Sequence, residues 1–252
     1  MVYTMEVNHA TNIRAMRETW APYCDGFLAF STASDPRIPA ISLPHDGPEA
    51  YNNMWQKVRS IWKFVGTHYL DDFDFFYLGG EDLFVIPQNL KWYLQQMLDQ
   101  ANSTSEDDFY VGRRFKNDIY FNSGGAGYAL SRGTLRKYVN KGWNHTNCSP
   151  DRRTSMEDVM IAACLQDVFN ISLVDTRDDE LRERFHPFTP EGHYRWRPLA
   201  KSKSDWYRDY NTEWPPLLKE MCCSPESVSF HYVKQPAMVR HLYALLNTCS
   251  QR

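Results

Sequence analysis

Two short segments combine carboxylates or glycines with flanking apolar runs, and they are the first candidates for chemistry. Residues 75–86 read Phe-Phe-Tyr-Leu-Gly-Gly-Glu-Asp-Leu-Phe-Val-Ile and place Glu81 and Asp82 between two apolar runs. Residues 121–131 read Phe-Asn-Ser-Gly-Gly-Ala-Gly-Tyr-Ala-Leu-Ser. A carboxylate after a buried strand can hold a divalent cation against a phosphate, and a glycine-dense turn lets a ligand approach the backbone. Together they predict an enzyme that handles a nucleotide-sugar, although Gly-Gly-Glu-Asp is also a common solvated turn.

A second acidic pair, Glu157 and Asp158, begins an apolar stretch with helical spacing. A carboxylate at this position could act as a general base toward an acceptor hydroxyl. The alternative is structural, because Thr154-x-x-Glu157 and Ser155-x-x-Asp158 both resemble capping boxes, in which the acid satisfies backbone N–H groups. Both roles remain open, one for each carboxylate.

Two histidines are candidates for completing a metal site begun by Asp82. His186 lies in Phe-His-Pro-Phe, and His231 lies in the strand-like stretch 228–233. Imidazole is a good ligand for divalent transition metals. A single histidine is more often structural, so the spacing alone does not select between them.

Composition excludes several function classes. The 252 residues carry a net charge of −3, which predicts no interaction with nucleic acid. No run of eighteen apolar residues is present, and the first residues resemble neither a signal nor a transit peptide. The sequence therefore predicts either a cytosolic protein or one whose targeting segment lies upstream of this chain. Aromatic residues are 15% of the total, enough to line a sugar-binding cleft as well as a core.

Cysteines and glycosylation sequons favour the secretory lumen over the cytosol. None of the six cysteines has the CxxC spacing of a zinc site, and an even number suits disulfides without selecting a pairing. Cys222 and Cys223 are neighbours, and because a bond between neighbours is strained we expect each to pair elsewhere. Asn-x-Ser/Thr sequons begin at residues 102, 144, 147 and 170.

Strand and helix patterns alternate through the first hundred residues. Apolar spacing predicts strands over 2–7, 26–30, 75–79 and 83–86, helices over 9–20, 48–69, 88–100 and 156–169, and a loop over 31–49. Alternation of this kind predicts an open α/β sheet, whose ligands bind beyond the carboxyl ends of the strands. Residues 186–225 are rich in proline and aromatics, and we expect them to pack as a loop over the cleft.

These segments resemble a known family almost end to end. The matching stretches are residues 18–24, 68–72, 75–94, 111–116, Ser-Gly-Gly-Ala-Gly-Tyr-Ala-Leu-Ser at 123–131, Glu-Asp at 157–158, 175–178, Phe-His-Pro-Phe-Thr-Pro-Glu at 185–191, and 222–233. In order and spacing the chain resembles the core 1 β1,3-galactosyltransferases and, more distantly, the Fringe-like β1,3-glycosyltransferases. No single motif carries the resemblance, which rests on their order over more than two hundred residues.

The resemblance implies one catalytic domain over residues 1–252 with a GT-A fold. Its Rossmann-like half, about 1–100, would bind the nucleotide-sugar on a mixed sheet, and residues about 101–252 would bind the acceptor. It implies an inverting, Mn²⁺-dependent transfer of galactose from UDP-galactose to the 3-hydroxyl of N-acetylgalactosamine (GalNAc) on Ser or Thr of a glycoprotein. It also implies a Golgi location behind an N-terminal membrane anchor upstream of this chain, and a possible homodimer.

The family's acidic motif, commonly three consecutive Asp, reads Gly80-Glu81-Asp82 here. The resemblance carries the metal ligand onto Asp82 and the nucleotide-sugar contacts onto Glu81 and Asp82. His231 is the preferred second metal ligand, with His186 in reserve.

The same resemblance makes Asp158 the expected catalytic base, with Glu157 as its neighbour or substitute. Gly124 and Gly125 are expected to let the acceptor sugar approach the backbone. Tyr128 and either Trp206 or Tyr207 are expected to stack on a sugar face.

Two other functions remain open at this stage. The loss of the first acid at Gly80 suits a non-catalytic, chaperone-like paralogue. A β1,3-transferase that uses another UDP-sugar would keep the same residues, because donor choice depends on the shape of the cleft.

Overall fold

The computed structural model describes residues 1–249, with side chains through Asn247. The strands are β1 Val2–Tyr3, β2 Ala29–Ser31, β3 Ala40–Ser42, β4 Phe75–Gly80, β5 Phe84–Val85, β6 Tyr110–Gly112, β7 Arg114–Lys116, β8 Tyr120–Asn122, β9 Tyr128–Ser131, β10 Phe185–His186 and β11 Ser229–Phe230. The helices are α1 Arg14–Glu18, α2 Met54–His68, α3 Pro87–Ala101, α4 Arg132–Lys137, α5 Glu157–Phe169, α6 Pro190–Arg195, α7 Trp206–Tyr210 and α8 Pro236–Cys249. Helices and strands alternate through the first half, as the sequence predicts.

Within the described residues the central sheet has six strands in the order β3-β2-β1-β4-β9-β6. Strand β1 is parallel to both β2 and β4, whereas β9 is antiparallel to β4 and β6. The sheet is therefore mixed, as predicted. From β1 the sheet continues through β2 and β3 on one side, and from β4 it continues through β9 and β6 on the other. A ligand-binding crevice forms at the carboxyl ends of the two strands where the order reverses, which are β1 and β4. Tyr3 and Gly80 are directly paired at these two ends.

Alternating side chains of the sheet pack against helices on both faces. Phe76 and Leu78 of β4 point toward α2 and α5 and join the buried Trp62 in the largest apolar cluster. Side chains of α3 pack with the opposite face of β6 and β9 in a separate cluster. Because successive strand residues point to opposite faces, one strand supplies both cores. Burial on both faces holds the strand ends, and the loops that follow them, in fixed positions.

A small second sheet positions the segment that carries His231. Its order is β10-β11-β5, with Phe230 opposite both His186 and Phe84. Strand β5 follows the acidic turn at residues 80–83 directly. The pairing of β11 with β5 therefore brings His231, the residue after β11, to the turn that carries Asp82.

Two predicted elements differ from the structure near the amino terminus. The strand predicted over 2–7 ends at Tyr3, and residues 6–8 form a helical turn. Glu81 accepts hydrogen bonds from the Thr4 hydroxyl and the Asn8 amide, which draws the chain away from the sheet. The loop predicted over 31–49 contains strand β3, which pairs in parallel with β2. Its three residues are too few to show a period in the sequence.

Disulfides join Cys148 to Cys164 and Cys222 to Cys223. The prediction that Cys222 and Cys223 pair elsewhere is therefore wrong. Cys24 is a free thiol, and the side chain of Cys249 lies outside the described residues. Between residues 1 and 249 no helix is both long enough and apolar enough to cross a membrane.

Candidate active site

Asp82 and His231 face each other at the carboxyl edge of the sheet. His231 Nε2 lies 3.3 Å from Asp82 Oδ1, and both side chains are partly exposed. The Val233 amide donates a 2.8 Å hydrogen bond to the carbonyl of Asp82, which fastens the two loops together. Burial acts to raise the pKa of the Asp82 carboxyl, but the hydrogen bond and charge of His231 outweigh it, and the pKa is lowered. Asp82 is therefore ionised at neutral pH.

Tyr232 packs on His231 from the next position in the chain. Its backbone has a φ of 60°, in the left-handed region that residues with a Cβ rarely adopt. Its ring stacks on His231 with 3.9 Å between centroids and remains about 45% exposed. Backbone strain of this kind persists where the surroundings enforce it and is common at functional sites.

Glu157 and Asp158 begin α5 and differ in environment. Glu157 is buried and accepts a 2.8 Å hydrogen bond from the hydroxyl of Tyr128. Asp158 is partly exposed, and its two oxygens accept 2.9 Å hydrogen bonds from the amides of Gly124 and Val159. Neither predicted capping box forms, because the residue before α5 is Met156 and it makes no side-chain cap. The two carboxylates therefore do not form the predicted capping boxes, although Asp158 still accepts hydrogen bonds from two backbone amides.

Burial raises the pKa of both carboxyls but by different amounts. For Glu157 burial is the largest cause, the charge of Asp158 adds to it, and the pKa lies well above the ordinary value. For Asp158 the raising effect of burial is opposed by backbone hydrogen bonds from Gly124 and Val159. Two neighbouring acids whose environments separate their pKa values commonly have separate roles. Asp158 is the one better suited to hold a negative charge and accept a proton.

The glycines at 124 and 125 join the two halves of the site. A Cβ on Gly124 would overlap Glu157 Oε1, and a Cβ on Gly125 would lie 2.5 Å from His231 Nδ1. The space that side chains would need is therefore filled by the protein's own acidic pair and histidine. Because consecutive Cα atoms are about 3.8 Å apart, the metal-binding candidates and the base candidate flank a single short stretch of backbone. The two glycines were predicted to let an acceptor sugar approach the backbone. In the structure they also leave room for Glu157 and His231.

Glu81 and His186 are held by other parts of the fold. Glu81 is engaged by the amino-terminal segment, as described above. His186 is fully buried, stacks on Phe230 and shares a 2.9 Å hydrogen bond with Ser227. Burial is the main reason that the pKa of His186 lies well below its usual value. The structure thus places His231, and not His186, beside Asp82. The carboxylate of Glu81 is occupied by hydrogen bonds from Thr4 and Asn8.

The three aromatic candidates lie in different places. Tyr128 and Tyr207 are fully buried, so their ring faces are covered by protein. Trp206 is about 45% exposed and packs edge-on against Phe188, which in turn lies parallel to Tyr232. Trp206 is therefore the one of the three with an exposed ring surface, and Tyr128 serves to hold Glu157.

The donor set at Asp82 and His231 fits a hard divalent cation that also binds a diphosphate. One carboxylate and one imidazole leave several coordination positions, which phosphate oxygens and water would complete. Residues 1–247 contain no group of three or more His, Cys, Asp or Glu side chains arranged to enclose a metal by themselves. A cation bound here would therefore take most of its coordination from phosphate oxygens and water.

A large cavity lies behind the acidic turn, and its lining reaches Gly80 and Leu83 but neither Glu81 nor Asp82. It measures about 620 Å³ and is lined by apolar side chains that include Phe73, Phe75, Leu94 and Leu98. The four residues named lie around the amino end of β4 and along α3, so most of the cavity is away from the carboxyl ends where ligands of such sheets bind. No titratable group from the two acidic pairs lines it.

Tyr3 and Tyr232 belong to the site, and the sequence reasoning did not select them. Tyr3 ends the central strand, and the charges of Glu157, Asp158 and Asp82 all act on its hydroxyl. The signal for Tyr3 was its place at the end of the first strand. No signal in the sequence marked Tyr232, because its role depends on a left-handed backbone.

The fold and the site together define a class. A mixed α/β sheet with acids at its carboxyl edge is consistent with the GT-A fold of glycosyltransferases. No family model matches the chain. Glycoprotein-N-acetylgalactosamine 3-beta-galactosyltransferase 1 from Xenopus laevis is 34% identical over 239 residues, which are 94% of this chain. Chondroitin sulfate synthase 3 from Homo sapiens is 24% identical over 172 residues, 60% of this chain and 18% of that protein.

Identity at this level over nearly the whole chain supports the core 1 β1,3-galactosyltransferase family. The chain spans 62% of the length of the Xenopus protein. The family resemblance seen in the sequence is therefore confirmed.

Proposed function

We propose that this chain is an inverting β1,3-glycosyltransferase that moves galactose from UDP-galactose to the 3-hydroxyl of GalNAc-α-Ser/Thr on glycoproteins. The observation that carries the proposal is that two half-sites meet at Gly124 and Gly125. The first half-site is Asp82 with His231, and the second is Asp158 with Glu157. One half offers donors for a cation and diphosphate, and the other offers a carboxylate for proton transfer. The galactosyltransferase named among its relatives supports the donor and the acceptor class.

The residues of the chain divide the reaction between them. Asp82 and His231 mark the place of the diphosphate end of the donor, where they would act as ligands of a cation. Asp158 accepts the proton of the acceptor hydroxyl, and its hydrogen bonds from Gly124 and Val159 fix the direction of its lone pairs. The acceptor oxygen attacks the anomeric carbon from the face opposite UDP, which converts the α-linked donor into a β-linked product. Glu157, held by Tyr128, supports the position of Asp158 without taking the proton.

Asp82 and His231 would hold Mn²⁺, which when bound neutralises the charge of the leaving diphosphate. Trp206 is exposed and packs on Phe188, which lies parallel to Tyr232, and these contacts support an acceptor role for its ring. Apolar faces of aromatic rings suit the C–H face of a sugar, so we assign GalNAc of the acceptor to this ring.

We also propose a Golgi location, with the acceptor glycoprotein and the UDP-sugar as partners. The disulfides at Cys148–Cys164 and Cys222–Cys223 support an oxidising secretory compartment. A homodimer and a membrane anchor outside this chain remain predictions from the family.

The test is transfer from a panel of UDP-sugars to a GalNAc-α-Ser/Thr glycopeptide, with Mn²⁺ and with chelator. We expect metal-dependent transfer from UDP-galactose and a β1,3 product by NMR. Transfer from UDP-GlcNAc or UDP-glucuronate instead would change the donor and keep the mechanism. A folded protein that neither binds UDP nor transfers any sugar would contradict the proposal and favour the chaperone-like alternative, which Gly80 suggests.

A further inference from the structure

Tyr3 occupies the central position of the crevice at the carboxyl ends of β1 and β4. It is the last residue of β1 and lies opposite Gly80, the last residue of β4. A Cβ on Gly80 would lie 3.1 Å from Tyr3 Cε2, 3.4 Å from its hydroxyl and 3.1 Å from Asp82 Oδ1. The Tyr3 ring therefore fills the space that a side chain at position 80 would occupy.

The hydroxyl of Tyr3 is free to bind a ligand. Tyr3 is partly exposed, and across residues 1–247 its hydroxyl has no hydrogen-bond partner. Burial is the main reason that the pKa of Tyr3 lies well above its usual value, and the charges of Glu157, Asp158 and Asp82 raise it further. The hydroxyl is thus protonated and can donate a hydrogen bond. The hydroxyl lies at the strand ends, close to the place that a Cβ on Gly80 would share with Asp82 Oδ1.

The place of Tyr3 beside Gly80 and Asp82 indicates what its hydroxyl would touch. Under the proposed function, on which this inference rests, the diphosphate lies at Asp82 and the acceptor oxygen lies at Asp158. In an inverting displacement the sugar must lie between the leaving group and the base. A hexose that extends from the diphosphate at Asp82 toward Asp158 therefore begins beside Tyr3.

We propose that Tyr3 is a donor-specificity residue, whose hydroxyl donates a hydrogen bond to a hydroxyl of the transferred hexose. Gly80 is complementary to it, because any side chain at position 80 would crowd the ring. A residue with this role distinguishes hexoses by the orientation of one hydroxyl, and leaves the affinity for UDP unaffected.

The test compares Tyr3→Phe with the wild type in kinetics and calorimetry. The variant keeps the ring and removes only the hydroxyl, so we expect an unchanged melting temperature. We expect kcat/KM for UDP-galactose to fall about 3- to 10-fold, the size of one lost hydrogen bond, with the Kd for UDP within twofold. The matched control is Tyr194→Phe, since Tyr194 is exposed and its hydroxyl bonds Glu220 at the surface.

A series of UDP-deoxygalactoses gives the sharper result. For one deoxy analogue, kcat/KM of the wild type should be about 3- to 10-fold lower than for UDP-galactose. The kcat/KM of Tyr3→Phe should be the same for both donors, because the variant already lacks that hydrogen bond. Equal weakening of UDP and UDP-galactose would overturn the inference by placing Tyr3 on the nucleotide. Unchanged kinetics, or early unfolding that reveals an internal partner for the hydroxyl, would also overturn it. If the wild type transfers no sugar at all, the proposed function fails. The role of Tyr3 is then decided by calorimetry, which compares the Kd of UDP-galactose with that of UDP in the wild type and in Tyr3→Phe.

Discussion

Replacing Asp158 with Asn removes the proposed base while keeping its shape. The amide oxygen that Asp158→Asn introduces can still accept one of the hydrogen bonds that Gly124 and Val159 now donate to the carboxylate. It cannot accept a proton from the acceptor hydroxyl at neutral pH. General-base catalysis contributes about 10²- to 10⁴-fold, so we expect kcat to fall by at least about 100-fold. This corresponds to a barrier higher by about 2.7 kcal/mol or more.

The same substitution should affect stability little. One backbone hydrogen bond is weakened, at a cost of about 1 kcal/mol, and the loss of a carboxylate whose pKa is raised by burial offsets it. A change of about 1 kcal/mol moves the melting temperature of a chain of this size by about 2–4 °C. We therefore expect a folded, nearly inactive protein that still binds UDP.

The assay measures transfer by mass spectrometry of the glycopeptide, UDP affinity by calorimetry and melting by scanning fluorimetry. The control is Asp167→Asn, an exposed carboxylate on the same helix α5. In the wild type the rate should fall as pH drops through the pKa of Asp158, which burial places above that of an ordinary Asp. Near-normal kcat in Asp158→Asn would refute the assignment. Lost folding would show instead that the carboxylate is structural.

Three other substitutions test separate parts of the structure. Asp82→Asn should abolish Mn²⁺-dependent turnover while the protein stays folded, and wild-type activity measured by the same transfer assay would exclude Asp82 as a metal ligand. Gly125→Ala should lower kcat/KM at least about 10-fold, because its methyl group would lie 2.5 Å from His231 Nδ1; an unchanged value would mean that His231 can move without consequence. Replacing Cys148 and Cys164 together with Ser should destabilise the chain by roughly 3 kcal/mol, since the bridge closes a loop of sequence separation 16; an unchanged urea midpoint would show that the bridge does not constrain the unfolded chain.

The alternation of strands and helices was predictable from apolar periodicity, because these elements are long or fully buried. Helix α2 at Met54–His68 and helix α5 at Glu157–Phe169 both follow spacings visible in the sequence. Short elements were not predictable in the same way. Strand β1 has two residues, and its end is decided by contacts of Glu81 with Thr4 and Asn8, which lie more than seventy positions away.

For the candidate site, the types of the residues were predictable and their relations were not. Asp82 and His231 could be selected from chemistry, and the structure places them 3.3 Å apart. The roles of Gly124 and Gly125 depend on which side chains fill the space beside them, and no local pattern contains that information. The bond between Cys222 and Cys223 was also not predicted, because strain between neighbouring cysteines made pairing elsewhere the expectation.

The central claim is that Asp82 and His231 hold the cation on a diphosphate beside Asp158. The most direct measurement is the anomalous-scattering map of a crystal grown with UDP and Mn²⁺. We predict one peak within roughly 2.1–2.3 Å of Asp82 and His231, bridged to the diphosphate, with Asp158 on the open side of the site. A peak bound to Glu157 and Asp158, or UDP bound away from Asp82, would contradict the account.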